Sequence, residues 1–100
     1  MRIEWSLFAQ ADRDAIFDYI EADNPRAAIS VDECLRGQVE KLAKFPELGR
    51  PGRVERTREL VILQTPYIAA YRIVGDTVLI LRVLHGARQW PEDVSEESQC

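Results

Sequence analysis

Two long apolar runs on either side of Gly75-Asp76 constrain this chain more than any other feature. Residues 67–74 read YIAAYRIV and residues 77–85 read TVLILRVLH. Both are rich in β-branched and aromatic residues, and glycine takes positive φ freely, so the pair predicts a β-hairpin with a two-residue loop. Such a loop fixes the pairing as 74 with 77, 72 with 79, 70 with 81, 68 with 83 and 66 with 85. One face then carries Ile68, Ala70, Arg72, Val74, Leu79, Leu81, Val83 and His85. The other carries Tyr67, Ala69, Tyr71, Ile73, Val78, Ile80, Arg82 and Leu84. Both are mostly apolar, whereas an antiparallel sheet with one wet side alternates cleanly. A cover is therefore expected on each face, and the rest of the chain must supply it or recruit it.

The first half supplies one. Arg2 to Ser6 alternates as a short strand, and Ser6 can cap a helix. From Phe8 the apolar positions are Phe8, Ala11, Ala15, Ile16, Tyr19 and Ile20, with Asp12, Arg13, Asp14 and Asp18 largely on the other side. Asn24-Pro25 stops this helix and starts the next, with Asn24 as cap and Pro25 in the first turn. The second helix shows a stripe of Ala28, Val31, Leu35, Val39, Leu42 and Phe45, and Pro46 ends it. Residues 47–57 read as loop, and 58–63 as a further strand. The expected fold is α+β in the order β-α-α-β-β-β. An antiparallel two-helix hairpin packs on one face of a mostly antiparallel, three- to four-stranded sheet. Residues 1–91 form one domain and 92–100 an acidic, frayed tail. Two helices cover one face, so the second cover must come from another molecule.

Charge is unevenly placed. Residues 1–49 carry six basic and ten acidic groups, residues 50–91 seven basic and three acidic, and residues 92–100 four acidic and none basic. The middle segment can meet an anionic partner although the whole chain is acidic. No apolar run is long enough for a membrane span, and charge appears by the fourth residue, so a cytoplasmic protein is expected. Cys34 and Cys100 have no Cys or His at metal-ligand spacing, so no metal or other cofactor is called for. They also lie far apart in sequence, which argues against a structural disulfide.

The order of elements, with FPELGRPGR…TREL, PYIAAYRI and RVLHGARQWP, resembles the RelE/ParE superfamily of toxins from bacterial type II toxin–antitoxin systems. The resemblance covers nearly the whole chain. It implies a compact toxin neutralised in a hetero-oligomer by a cognate antitoxin, whose C-terminal segment folds onto it. The apolar face at Ile68, Ala70, Arg72, Leu81 and Val83 is the expected antitoxin surface. ParE-like members act on DNA gyrase. RelE-like members cut mRNA on the ribosome. The basic loop Arg50, Arg53, Arg56 and Arg58, with Trp90, is the expected target surface.

Cleavage at a 2′-hydroxyl needs a base, an acid and a cation near the phosphate. His85 is the sole histidine, and Arg88, three residues beyond it, is the strongest remaining polar candidate near it; these two are the catalytic candidates in a ribonuclease. The expected register puts Arg72 roughly 20 Å from His85 and turns Arg82 to the other face. It makes Ile68 the closest same-face neighbour of His85, where RNA-cutting members carry arginine. Glu59 is expected to pair locally with an arginine, and Lys41 and Lys44 to lie on a solvated helix face. A gyrase-directed, ParE-like toxin is thus the first reading. A ribosome-dependent mRNA endonuclease is the second, and an inactive relative that only binds antitoxin the third.

Overall fold

The structure, a computed structural model, describes residues 1–86. Arg88, Trp90 and the segment 92–100 lie outside the described residues. Strand β1 (Arg2–Trp5) leads into helix α1 (Leu7–Glu21) and helix α2 (Pro25–Glu40), followed by one 3₁₀ turn at Lys41–Ala43. Then come β2 (Arg50–Pro51), β3 (Arg58–Val61), β4 (Tyr67–Val74) and β5 (Thr77–His85). The sheet has five strands in the order β1-β5-β4-β3-β2. All neighbours are antiparallel except β1 and β5. This is the expected α+β architecture, with one addition. The two-residue β2, read from sequence as loop, pairs Arg50 with Glu59.

The caps are those the sequence specifies. Ser6 Oγ accepts the Ala9 N–H at the start of α1, and Asn24 Oδ1 accepts the Ala27 N–H at the start of α2. Gly75 has φ +61°, the left-handed geometry its hairpin turn requires.

Both helices lie on the same side of the sheet. The core joins Ala9, Leu35, Val39 and Leu42 to Leu60, Tyr67, Ala69, Tyr71, Val78, Ile80 and Val83. Tyr71 is the largest fully buried side chain. Its hydroxyl donates to Pro46 O at 2.7 Å and accepts the Gly49 N–H at 2.9 Å, which fixes the loop after α2. Arg58 on β3 braces the same loop, donating to Gly49 O at 2.6 Å.

The α1 stripe differs from expectation. Phe8 is 70% exposed and Tyr19 79% exposed. Ala11 and Ala15 are exposed too, while Ala9 is buried and Asp12 and Arg13 turn inward. The reason lies in polar partners. Arg13 makes a forked pair with Asp32 of α2, at 2.9 to 3.1 Å, and stacks on the Trp5 ring. Asp12 is drawn to the edge of β5, as described below. Two strong charge-assisted contacts set the rotation of the helix against its apolar periodicity. Phe45, expected to close the α2 stripe, is exposed because α2 gives way to the 3₁₀ turn at Lys41.

Cys34 is not a free thiol. It is disulfide-bonded, and its partner lies outside the described residues, so the expected free cysteine is corrected.

Candidate functional site

The β4–β5 hairpin follows the expected register only at first. Val74 pairs with Thr77 and Arg72 with Leu79, but Tyr71 pairs with Ile80 and Ala70 with Arg82. Leu81 is an extra residue with no partner, a β-bulge. Every pair beyond it shifts by one, to Ala69 with Val83, Ile68 with Leu84 and Tyr67 with His85. A shift of one residue moves side chains to the other face.

The edge of β5 explains the bulge. β1 ends at Trp5, opposite Ile80, so β5 loses its neighbour there. Three groups replace that neighbour. Ser6 N–H donates to Ile80 O at 2.9 Å, Ser6 Oγ donates to Leu81 O at 2.9 Å, and Asp12 Oδ2 accepts the Val83 N–H at 2.8 Å. Asp12 also pairs with Arg82 at 2.8 and 3.0 Å, and this hydrogen-bonded carboxylate raises the Arg82 guanidinium above its ordinary value. Arg82 in turn lies 5.8 Å from the centre of the exposed Phe8 ring.

These shifts correct three expectations. Val83, assigned to the antitoxin face, is buried in the helix-covered core. His85 turns to the helix-covered side, so Arg72 is on the opposite face rather than far along the same one. The residue facing His85 is Tyr67, not Ile68, and their rings meet edge-on with centroids 5.5 Å apart. Burial raises the Tyr67 phenol above its usual value, and the nearby Tyr19 adds to this.

The uncovered face now reads Ile68, Ala70, Arg72 and Val74 on β4 with Leu79, Arg82 and Leu84 on β5. Glu59 and Val61 extend it on β3, and Arg50 on β2. It is a mixed surface in which Arg72 and Val74 are exposed and Ile68 is only 4% exposed.

The basic loop is also divided. Arg50 lies on the uncovered face, whereas Arg58 points to the covered side and is committed to Glu47 O and Gly49 O. Among the described residues no ion pair joins Glu59 to an arginine, contrary to expectation. Its Oε2 accepts the Arg53 backbone N–H at 3.3 Å, while its buried Oε1 has no partner. Beside it a cavity of about 360 Å³ follows the outer edge of β3, lined by Lys41, Leu48, Arg50, Glu59, Val61 and Leu63 among others. Gln38 closes one end of that edge like a short strand, since its side-chain amide accepts Leu63 N–H at 2.8 Å and donates to Leu63 O at 3.0 Å. Among the described residues no group of three His, Cys, Asp or Glu could hold a metal ion.

The model of a family described as the ParE toxin of the type II toxin–antitoxin system parDE matches residues 3–90. The chain belongs to this toxin family. It is 48% identical over 91 residues to the putative toxin Y4kP of Sinorhizobium fredii, covering 91% of this chain and 94% of that one. To toxin RelE2 of Caulobacter vibrioides it is 37% identical over 87 residues, covering 87% and 97%. Among solved structures it matches the chromosomal ParDE system of P. aeruginosa with a TM-score of 0.78 and 31% identity, over 83% of this chain and 92% of that one. The RelBE2 toxin–antitoxin complex of Mycobacterium tuberculosis matches with a TM-score of 0.56 and 28% identity, over 84% and 95%.

Sequence reasoning missed the toxin's Asp12, Phe8, Tyr19 and Gln38. Asp12 and Gln38 act on strand edges distant in sequence, and no local signal marks them. Phe8 and Tyr19 sit in a clean helical stripe whose spacing is the same whether it faces a core or a partner. Among the described residues no helix is long and apolar enough to cross a membrane.

Proposed function

We propose that this toxin works in the cytoplasm as a ParE-like inhibitor of DNA gyrase and is silenced by a cognate antitoxin. The antitoxin lies over Ala70, Arg72, Leu79, Leu81 and Leu84 and continues onto the exposed Phe8 and Tyr19 of α1. The match to the ParE family over residues 3–90 supports the class, as do solved relatives that are toxin–antitoxin systems. An uncovered sheet face flanked by an exposed aromatic stripe suits an antitoxin tail that folds as it binds.

The observation that carries gyrase over RNA is the surroundings of His85. Across the ladder it meets Tyr67, and the sheet arginines Arg72 and Arg82 point from the other face, Arg82 already held by Asp12. That arrangement supplies no cation for a phosphate beside the imidazole among the described residues. The ribonuclease reading keeps one support, the relatives named as RelE toxins.

Purified toxin incubated with gyrase and supercoiled plasmid is expected to trap cleaved DNA, and its expression to give filamentous cells with an induced SOS response. Rapid arrest of translation with cleaved mRNA would overturn the gyrase reading. His85→Ala separates the two, since an acid or base contributes on the order of 10²-fold or more to a ribonuclease. Gyrase trapping is expected to survive that substitution.

A further inference from the structure

Strand β1 ends the sheet, with β5 as its neighbour on one side. Arg2 N–H donates to Asp76 O at 3.0 Å and Ser6 N–H to Ile80 O at 2.9 Å, and Ile3 lies opposite Val78 between them. Backbone groups alternate in direction along a strand, so Arg2, Glu4 and Ser6 turn theirs toward β5, while Ile3 and Trp5 turn theirs outward. Gln10 Nε2 donates to Trp5 O at 3.1 Å. Among the described residues nothing meets the N–H and C=O of Ile3. At the opposite edge β2 and the Gln38 amide take up the outward groups of Glu59 and Leu63. The start of β1 is held in place, because the N-terminal ammonium donates to Ala43 O at 2.9 Å. An edge with unpaired backbone groups is a template for a further strand.

We propose that two copies of this chain pair antiparallel through β1, centred on Ile3. The two Ile3 residues then exchange both N–H to C=O hydrogen bonds. Arg2 of each copy lies directly opposite Glu4 of the other, so symmetry forms two opposite-charge pairs. Both side chains are accessible, at 69% and 51% exposed. They already pair with each other along the strand at 2.9 Å, but an exposed pair of this kind contributes little, and the same charges can turn to the second copy. A parallel pairing in register would set Arg2 against Arg2 and Glu4 against Glu4, so charge selects the antiparallel one. An unrelated strand would need the same two charges in the same register, whereas a second copy carries them by construction. The two-fold axis stands normal to the sheet. Both helix layers therefore lie on one side, where the half-buried Ile3 side chains meet, and both uncovered faces form one continuous surface on the other. Each copy has a single β1, so the pairing closes at two. It holds whether the toxin's target is gyrase or RNA, so its failure and that of the gyrase reading are independent.

The test compares the full chain with Arg2→Glu, with Glu4→Arg and with the exchange R2E/E4R. Sedimentation velocity and amide hydrogen exchange are followed as protein concentration rises. The contact is small, so a dissociation constant on the order of 100 μM is expected. Either single reversal sets like charges opposite each other twice, and is expected to weaken the dimer roughly tenfold. The exchange restores opposite charges and is expected to recover the original affinity to within about threefold. The Ile3 amide is expected to gain protection with concentration, while the Glu4 amide, turned toward β5, keeps a constant rate. Urea midpoints are expected to stay the same in all three variants, since both side chains are exposed. A monomer up to about 1 mM, some tenfold above the expected constant, overturns the proposal, as does a dimer indifferent to the single reversals. An Ile3 amide that gains protection only when an antitoxin is added overturns it too, because the edge then takes a different chain.

Discussion

The covered and uncovered faces of the sheet are built from alternate residues of the same strands, yet they behave as different materials. Tyr71 is fully buried and spends both hydrogen-bonding capacities of its hydroxyl on the loop after α2. Its neighbour Arg72 is exposed. Hydropathy does not account for the contrast, since Ile68 and Leu79 on the uncovered face are as apolar as Ile80 and Val78 on the covered one. What differs is the cover, which one face receives from α1 and α2. If the antitoxin lies where it is proposed to, stability resides on one face and recognition on the other, and substitutions should separate the two.

The largest effect is expected from Tyr71→Ala. It empties the largest fully buried side-chain site and strands the Gly49 N–H, and aromatic-to-Ala changes in cores cost about 4 kcal/mol. Urea unfolding is expected to show a stability too low to keep the chain folded at 37 °C. Arg72→Ala, one residue away, is expected to change stability by less than about 0.5 kcal/mol. Similar losses in the two variants would break the division between the faces.

Next in size is a loss on the uncovered face that concerns binding alone. Leu79→Asp puts a charge where the antitoxin is proposed to lie. A charge buried at the centre of an interface weakens binding by about 2 kcal/mol or more, roughly thirtyfold. Co-expressed antitoxin is then expected to stop rescuing growth while urea unfolding hardly changes. Rescue as complete as with the unsubstituted toxin would move the antitoxin off this face.

How much of this was legible in the sequence follows from where the forces act. The two helices, their Ser6 and Asn24 caps and the Gly75 turn are local, and local pattern found them. The faces of the hairpin were assigned correctly up to Tyr71 and incorrectly beyond Leu81. The bulge answers a vacancy left by the end of β1, some seventy-five residues earlier in the chain. The α1 stripe failed for a similar reason, because Asp12 and Arg13 rotate the helix toward partners on β5 and α2. His85 was found as a residue but not placed, since its face depends on that bulge. Arg58 was grouped with its basic neighbours by composition, although strand alternation puts it on the other side from Arg50.

The edges that terminate the two faces should show intermediate effects. Asp12→Ala removes the acceptor of the Val83 N–H and the partner of Arg82 together, and a lost bond to a charged group that leaves a donor unpaired costs about 2 kcal/mol. Gln38→Ala opens the outer edge of β3 and costs about 1 kcal/mol through its two bonds to Leu63. Hydrogen exchange should locate each loss, at Val83 for the first and Leu63 for the second. Uniform loss across the sheet in either variant would mean that these groups do not act as edge caps.

The smallest expected effect is a pH dependence that arises from two tyrosines of the covered face. Burial raises the phenols of Tyr67 and Tyr71 above the usual value, in Tyr71 despite the lowering effect of the Gly49 hydrogen bond. In the unfolded chain each ionises near pH 10, about the ordinary value. The folded state therefore holds its phenolic protons to a higher pH than the unfolded state does. Their contribution is fully present below about pH 10 and is lost as the pH rises through that value toward the raised folded one, because the unfolded state then gives up protons first. Urea midpoints should consequently fall on raising the pH from 9 to 11. Tyr71→Phe is expected to make that fall shallower, although at neutral pH it costs about 1 kcal/mol by leaving Gly49 N–H without its acceptor. Tyr19→Phe on the exposed stripe removes an influence on Tyr67 that is smaller than burial, and should change the slope less. A slope that Tyr19→Phe flattens as much as Tyr71→Phe would mean that the two sides of this molecule are equally wet at these tyrosines.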